Sequence, residues 1–207
     1  NAPRPSRMNN RAIYDQVCMA ASRHTTRAFS TSFSLGVRLL PSTMRDPVHA
    51  IYGFVRFADE IVDTFLDHPR EQLLNDFERD TWAAIDAGIS LNPILQSFQQ
   101  VVHRYGIEPD LVATFLHSMR MDLRRNTHDE ASFREYVLGS AEVVGLMCLR
   151  VFCQGDDALY QRLKGPAMRL GAAFQKVNFL RDLQEDAQVL GRAYFPGTRQ
   201  GGLTEER

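Results

Sequence analysis

The chain has 207 residues, with 24 lysine and arginine side chains against 25 aspartate and glutamate side chains and a formal net charge of -1. This balance argues against a nucleic-acid partner, which a strongly basic protein would attract. A hydrophobic fraction of 44% with 24% charged residues is typical of a folded globular protein, and the length favours one sizeable domain over two.

The predicted elements of the first half are helices. They cover residues 13–27, 48–65, 70–87 and 93–105. The Ser/Thr/Gly-rich passage over residues 29–41 is expected to bend or end the first helix. The helix after this passage is expected to end near residues 67–69. Asn92 opens the fourth helix, and Gly88 and Gly106 mark the ends of the third and fourth helices.

The second half continues the helical pattern. Helices are predicted over residues 109–125, 133–154 and 171–196, with a short helical turn over residues 156–164. A polar break over residues 127–130 precedes Ser132 and Glu135, whose spacing suits a capping box. Gly165 and Pro166 are expected to restart the chain into the last helix.

The fold class that follows from these elements is all-α. No segment shows sustained strand alternation, and no repeat of 20 to 50 residues is evident. We predict a single helical domain over residues 13–196, a flexible segment over residues 1–12 and a polar tail over residues 197–207.

The three cysteines lack the spacing of zinc ligands. We interpret Cys18, Cys148 and Cys153 as small buried hydrophobic residues in a reducing compartment. No signal peptide is visible, and the most apolar run falls short of the roughly 20 residues that a membrane span needs. We therefore expect a cytoplasmic protein.

A narrow polar stripe runs along the helix predicted over residues 171–196. Its members are separated by three, four and four residues, so they share one face: Gln175, Asn178, Asp182 and Asp186. Apolar residues such as Phe174, Val177 and Leu180 occupy much of the remaining circumference. This composition predicts a helix that is buried on most sides.

A second polar stripe is predicted on another helix. The helix over residues 48–65 presents Tyr52, Arg56, Asp59 and Asp63 at the same kind of spacing, again on an apolar helix. Unpaired carboxylates in a protein interior cost several kcal/mol, and the four aspartates outnumber the two neighbouring arginines. A divalent cation would balance them, and oxygen ligands favour magnesium, with manganese as the alternative. Solvated or ion-paired helix faces are the alternative reading, and the residues alone leave the two about equal.

Small residues cluster in the helix predicted over residues 133–154. They are Gly139, Ser140, Ala141 and Gly145. Their lack of bulk suits either close packing of two helices or space for a long apolar ligand, and the residues alone do not decide between these. The hydroxyls of residues 30–34 leave a similar choice between phosphate contacts and helix capping, of which capping is favoured.

The two motifs resemble those of a known family. YGFVRFADEIVD, beginning at Tyr52, and QKVNFLRDLQEDAQVLGRAYFP, beginning at Gln175, are similar to the two aspartate-rich motifs of squalene and phytoene synthases, which join two prenyl diphosphates head to head. The resemblance extends over about residues 14–196. It implies an isoprenoid-synthase-type helical bundle around a central apolar cavity.

The resemblance also implies roles for individual residues. The implied magnesium ligands are Asp59, Asp63, Asp182 and Asp186. The implied diphosphate- and substrate-binding residues are Ser32, Phe33, Tyr52, Arg56, Gln175, Asn178 and Arg181. The implied cavity and catalytic residues are Tyr136, Ala141, Val144 and Gly145. Glu142 departs from the family, which often has glycine there, and family members continue with further helices beyond the Gly-Arg-x-Tyr-x-Pro segment.

The implied reaction passes through a cyclopropylcarbinyl diphosphate. Phytoene formation ends in proton loss, whereas squalene formation needs NADPH, and the absence of a nucleotide fingerprint leans weakly towards phytoene. The alternatives are a non-catalytic scaffold with the same fold and a terpene cyclase or head-to-tail prenyltransferase. A lipophilic product leaves peripheral membrane contact open, and the oligomeric state is not readable from the sequence.

Overall fold

The computed structural model describes residues 9–124 and 127–185, with side chains as far as residue 181. Within these ranges it contains α-helices, one π-helical turn and no β-strand. The helices are α1 (Asn10–Phe29), α2 (Thr31–Leu39), α3 (Ser42–Asp63), α4 (Arg70–Ala87), α5 (Pro93–Tyr105), α6 (Pro109–Arg124), α7 (Glu130–Val137), α8 (Val143–Cys153) and α9 (Asp157–Glu185). The π turn covers Leu138–Glu142 and joins α7 to α8. The all-α prediction is confirmed for the described residues.

Contacts within the chain divide it into two compact units. The first comprises Asn1–Arg56 and Asp80–Arg104, and the second comprises Phe57–Arg79 and Tyr105–Arg207. The helices α3 and α4 therefore contribute residues to both units. The single domain predicted from the sequence stays a prediction.

The core of the first unit is formed where α1, α3 and α5 meet. Phe54 of α3 and Phe98 of α5 stack with ring centroids 3.9 Å apart and nearly parallel planes. A side chain at Gly53 would place its Cβ 3.2 Å from Ser22 Oγ of α1, so glycine allows this helix to approach closely. The hydroxyls of Ser22 and Ser97 lie 2.6 Å apart, which satisfies both buried groups.

The second unit is organised around the π turn, which contacts α6, α7, α8 and α9. Glycines make the closest approaches possible. A Cβ at Gly139 would lie 2.5 Å from Ser118 Cβ and 2.7 Å from the Thr114 carbonyl oxygen of α6. A Cβ at Gly171 of α9 would lie 2.9 Å from the carbonyl oxygen of Ala141. Gly139 thus supports close helix packing, one of the two readings left open by the sequence.

Local signals for helix ends are confirmed where they rest on backbone chemistry. Gly88 and Gly106 end α4 and α5 with φ values of 65° and 62°, a conformation that side chains disfavour. The Asn92 side chain accepts hydrogen bonds from the backbone N–H groups of Ile94 and Leu95, as expected of a helix cap.

Two expected breaks are instead helical. The passage over residues 29–41 contains α2, because the Ser30 hydroxyl accepts the Phe33 N–H and caps a new helix. The helix α9 continues through Gly165 and Pro166, although Pro166 lacks a backbone donor. The prediction of a separate turn over residues 156–164 is therefore wrong.

Two helix boundaries also differ from expectation. The helix α3 ends at Asp63, several residues before the predicted end, and the Arg70 guanidinium donates to the Val62 carbonyl oxygen at 2.7 Å. Asp129, not Ser132, caps α7, because its side chain accepts the Ser132 N–H at 2.8 Å. Ser132 lies inside the helix, so the capping box is wrong.

The burial predicted for α9 is also wrong. Phe174 is 63% exposed and Val177 is 60% exposed, and Leu170 and Leu180 are exposed to a similar degree. The polar stripe instead lies towards the covered side: Gln175 is half-buried and shares a face with Gly171, which contacts the π turn. Apolar composition shows which residues favour burial, but the neighbouring helices decide which side is covered.

The continuous helical stretch Glu130–Cys153 is long and apolar enough to cross a membrane by length and composition, and half of its most apolar window is buried in the protein. A core helix passes the same test, so this is weak evidence for a span. It differs from the expectation that no run reaches this length, because α7, the π turn and α8 join without a break.

An ion pair joins Glu108, the residue before α6, to Arg150 of α8. The Arg150 guanidinium donates two hydrogen bonds to the Glu108 carboxylate, donates to Asp157 at 2.6 Å, and lies 3.6 Å from the ring centre of Tyr160. Burial raises the pKa of Glu108, and the hydrogen bond from Arg150 with its positive charge outweighs this, so the pKa is lower than usual.

Glu108→Gln is expected to lower the free energy of unfolding by about 1–2 kcal/mol near neutral pH, less than for a fully buried pair because the Glu108 side chain is 36% exposed. The lowered folded-state pKa means that this contribution is present above the ordinary value of 4.5 and disappears as pH falls through the folded value. Urea titrations of both proteins at several pH values measure it. A difference that grows on acidification would contradict the assignment.

Candidate active site

An aromatic pair brings two of the predicted substrate residues together in the first unit. The ring of Phe33 in α2 stacks on that of Tyr52 in α3, with centroids 4.8 Å apart and an interplanar angle of 25°. This contact is possible because residues 31–39 form a helix that lies beside α1. Phe33 stays 38% exposed, so the pair presents an aromatic surface.

Arg56 lies one turn after Tyr52 on α3. Its guanidinium carbon is 4.5 Å from the ring centre of Phe29, a cation–π geometry that holds the side chain in place. The nearby hydroxyls take the capping roles favoured by the sequence: Ser30 caps α2, and Ser34 donates to the Thr26 carbonyl oxygen. Ser32 is exposed, which leaves its predicted diphosphate contact a prediction.

Asp59 and Asp63 lie at the end of α3, in the part that belongs to the second unit. They are one turn apart and both half-buried. Two hard carboxylate donors on one face of a helix fit magnesium, which often uses one or two carboxylates together with phosphate oxygens. The residues present therefore match the metal implied by the sequence.

The second motif is only partly within the described side chains. The Gln175 side-chain amide donates to the Ser140 hydroxyl of the π turn at 3.2 Å, Asn178 is half-buried, and Arg181 is exposed. Asp182 lies in α9 but its side chain is outside the described set, as is the whole of Asp186. Among the described side chains, no group of three or more His, Cys, Asp or Glu residues is placed to hold a metal.

Tyr136 belongs to a buried cluster in the second unit. Its hydroxyl donates to Asp122 Oδ2 at 2.7 Å, and its ring lies 5.9 Å from that of Phe179 in α9. Both Tyr136 and Asp122 are 4% exposed. The sequence analysis missed Asp122, and the available signal was a carboxylate one position after Met121 on the buried side of α6.

Tyr136→Phe is expected to lower the free energy of unfolding by about 1–3 kcal/mol, because it removes a hydrogen bond to a buried carboxylate. Thermal unfolding measures the change. Equal stability of the Tyr136→Phe and wild-type proteins would contradict the buried bond.

The other residues of the predicted cavity lie in the π turn and at the start of α8. Ala141, Val144 and Gly145 are all half-buried, and a Cβ at Gly145 would meet the Ala167 carbonyl oxygen at an ordinary 3.6 Å. A cavity of about 470 Å³ lies beside Glu142, between the π turn and α9. Burial raises the pKa of Glu142, and Lys176, which also lines the cavity, opposes this. Single π turns within α-helices are frequent at functional sites.

The sequence model of the squalene/phytoene synthase family matches residues 26–202. A presqualene diphosphate synthase from Rhodopseudomonas palustris is 32% identical over 181 residues, which cover 84% of this chain and 61% of the relative. A 15-cis-phytoene synthase from Paracoccus is 30% identical over 176 residues, which cover 81% of this chain and 56% of the relative. The chain thus spans about three fifths of the length of these curated relatives.

Solved structures show the same fold. A dehydrosqualene synthase crystallised with a ligand has a TM-score of 0.76 at 26% identity, over 88% of this chain and 62% of that one. The squalene synthase HpnC from Alicyclobacillus acidocaldarius has a TM-score of 0.77 at 24% identity, over 89% of this chain and 68% of that one. With a family match over most of its length and a shared helical fold, the chain belongs to the squalene/phytoene synthase family.

Proposed function

We propose that this chain carries the residues of a prenyltransferase that condenses two prenyl diphosphates head to head through a cyclopropylcarbinyl diphosphate. The observation that carries the proposal is α3, one continuous helix with Tyr52, Arg56, Asp59 and Asp63 spaced along one face. Membership of the family and relatives named as presqualene diphosphate and phytoene synthases support the reaction class.

Asp59 and Asp63 would hold magnesium together with Asp182 and Asp186 of the second motif. The ion, when bound, supplies positive charge to a departing diphosphate. Manganese has similar ligand preferences and is the alternative. Half-burial of Asp59 and Asp63 supports this role, because reduced solvent contact strengthens the interaction between carboxylates and a cation.

Arg56 and Arg181 would add positive charge at the diphosphate oxygens, and arginine suits them because its planar fork matches phosphate geometry. The Phe33–Tyr52 pair would offer a ring face to an allylic cation, which the electron-rich face of an aromatic ring stabilises. The double bond of the second substrate would attack this cation, and loss of one proton would close the cyclopropane ring.

Tyr136 takes a positioning role in this proposal. Its hydroxyl proton lies on the bond to Asp122, so it holds the π turn beside α6 and α9 and orients the residues that follow. The resemblance implies a cavity or catalytic role for Tyr136, and the bond to Asp122 favours the free diphosphate over this hydroxyl as the group that removes the proton.

Incubation with C15 and C20 prenyl diphosphates, with and without magnesium, tests the proposal. The readouts are diphosphate release and the hydrocarbon formed, with and without NADPH. Magnesium-dependent release with a C30 or C40 head-to-head product is expected, and the product identifies the substrate length and the need for a reductant. A cyclised or head-to-tail product, or no release from a folded sample that includes both substrates, would contradict the proposal.

A further inference from the structure

A second cavity, which is lined mainly by polar residues, lies in the first unit among α1, α2 and the start of α3. Its volume is about 340 Å³, and four of its lining residues are arginines: Arg23, Arg27, Arg38 and Arg45. Asp46 is its single acidic lining residue. Like charges in one cavity repel, so this lining favours an anionic occupant.

The arginines of this cavity differ in whether they have hydrogen-bond partners within the protein. Arg23 donates two hydrogen bonds to the Asp46 carboxylate, at 2.8 and 2.9 Å, and the Arg45 Nε donates to the Leu40 carbonyl oxygen. Arg27 and Arg38 have no hydrogen-bond or ion-pair partner within the described part of the chain. Two guanidinium groups that face one cavity are thus available to an anion.

A buried imidazole gives an independent observation. His49 of α3 lines the same cavity and is only 6% exposed, yet its Nδ1 has no hydrogen-bond partner among the described residues. Buried polar atoms without a partner are rare in folded proteins. A bound ligand with oxygen atoms would give Nδ1–H an acceptor.

The charge of His49 agrees with this reading. Burial lowers its pKa, the Asp46 carboxylate opposes this, and the positive charges of Arg27 and Arg23 lower it further. The imidazole is therefore neutral at pH 7, and the cavity carries a net positive charge of three from its arginines and aspartate.

We propose that this cavity binds a phosphate group, held by Arg27 and Arg38 with a hydrogen bond from His49. A phosphate monoester or free phosphate carries about two negative charges near pH 7 and matches the surplus better than a carboxylate. Arginine forks pair with phosphate oxygens in parallel hydrogen bonds. The site shares no residue with the aspartate motifs and does not depend on the prenyltransferase proposal.

The phosphate group of this proposal can belong to a membrane phospholipid or to a soluble ligand, and the two sources are distinguishable. Leu35 and Leu39 of α2 share a face, and they are 61% and 84% exposed. Exposed apolar side chains next to a phosphate site also suit a phospholipid headgroup at a membrane surface. A free phosphate or diphosphate would need no such apolar neighbours.

The test uses the purified 207-residue chain. Inorganic phosphate and diphosphate are titrated by calorimetry and by the NMR signal of the His49 imidazole, and binding to phosphatidylcholine vesicles with and without phosphatidic acid, a phosphate monoester, is measured by flotation. The double variant Arg27→Gln, Arg38→Gln is compared with Arg11→Gln, which removes a first-unit arginine paired with Asp15 outside the cavity.

Binding of phosphate or diphosphate that weakens at least tenfold in the double variant, with a shift of the His49 signal, supports the site and a soluble ligand. Binding only to vesicles containing phosphatidic acid, with the same loss, supports the site and a lipid headgroup. No binding by either assay, or equal losses in the double variant and in Arg11→Gln, overturns the proposal. Circular dichroism confirms that each variant is folded.

Discussion

Asp59→Asn is expected to reduce magnesium-dependent diphosphate release by about a hundredfold or more, while leaving the helical content unchanged. The amide keeps the size of the carboxylate but removes its negative charge, and a lost metal contact worth about 3 kcal/mol in the transition state lowers the rate by about that factor. Asp59 is half-buried on α3, one turn before Asp63. Water therefore has limited access to take the place of the lost carboxylate ligand. Initial rates at several magnesium concentrations measure the effect, and a raised magnesium requirement is expected to accompany it.

Asp67→Asn is the matched control for this variant. Asp67 lies just beyond α3, its side chain is 85% exposed, and it pairs with His68. Removal of its charge is expected to leave the rate within about twofold, because an exposed pair contributes little. If the Asp59→Asn and Asp67→Asn variants released diphosphate at the same rate, the metal assignment of the first motif would be wrong. Asp182→Asn extends the same comparison to the second motif.

Gly139→Ala is expected to lower the free energy of unfolding by about 1–3 kcal/mol, the usual cost of overpacking a well-packed core. The added Cβ would lie 2.5 Å from Ser118 Cβ and 2.7 Å from the Thr114 carbonyl oxygen. A backbone oxygen cannot move without displacing α6, so the π turn itself must shift. For a chain of this length each kcal/mol corresponds to about 2–4 °C in the melting temperature.

Gly36→Ala provides the opposite expectation with the same chemical change. Gly36 lies inside α2, and no atom is within 4 Å of a Cβ built there. Alanine is favoured over glycine in a helix by about 1 kcal/mol, so this variant is expected to be unchanged or more stable. A loss of stability in Gly36→Ala as large as in Gly139→Ala would show that close packing at the π turn is not the cause.

The Gly139→Ala and Asp59→Asn variants are expected to reduce turnover for different reasons. Gln175 of the second motif donates to Ser140, directly after Gly139, so a shifted turn would also move a predicted substrate residue. Gly139→Ala is therefore expected to affect turnover through geometry, with a response to temperature that Asp59→Asn lacks. This difference identifies Gly139 as a packing residue.

Local sequence chemistry determined much of the fold. Gly88 and Gly106 end their helices because glycine adopts positive φ at little cost, and Asn92 caps α5 because its side chain accepts backbone N–H groups. The aspartates of the first motif also lie where the spacing placed them. These features depend on a few neighbouring residues, so the sequence contains the whole physical cause.

Two other local features differed from expectation: the Ser30 hydroxyl caps α2 within a passage of turn-like composition, and Pro166 lies inside α9. Further features depended on which helices meet. Asp122 gave only a weak local signal, a carboxylate beside the buried Met121, and only the packing of α7 on α6 brings the Tyr136 hydroxyl to that carboxylate. The cavity around His49 is likewise formed by residues from three helices.

The sequence by itself determined most of the helices, the spacing of the aspartates and the family resemblance. Only the tertiary structure decided which side of α9 is covered: the half-buried Gln175 lies towards the π turn, and Phe174 and Val177 are exposed. The physical reason is that helical periodicity describes the chemistry around one axis. Burial also requires a neighbour on that side, and contacts between distant segments supply it.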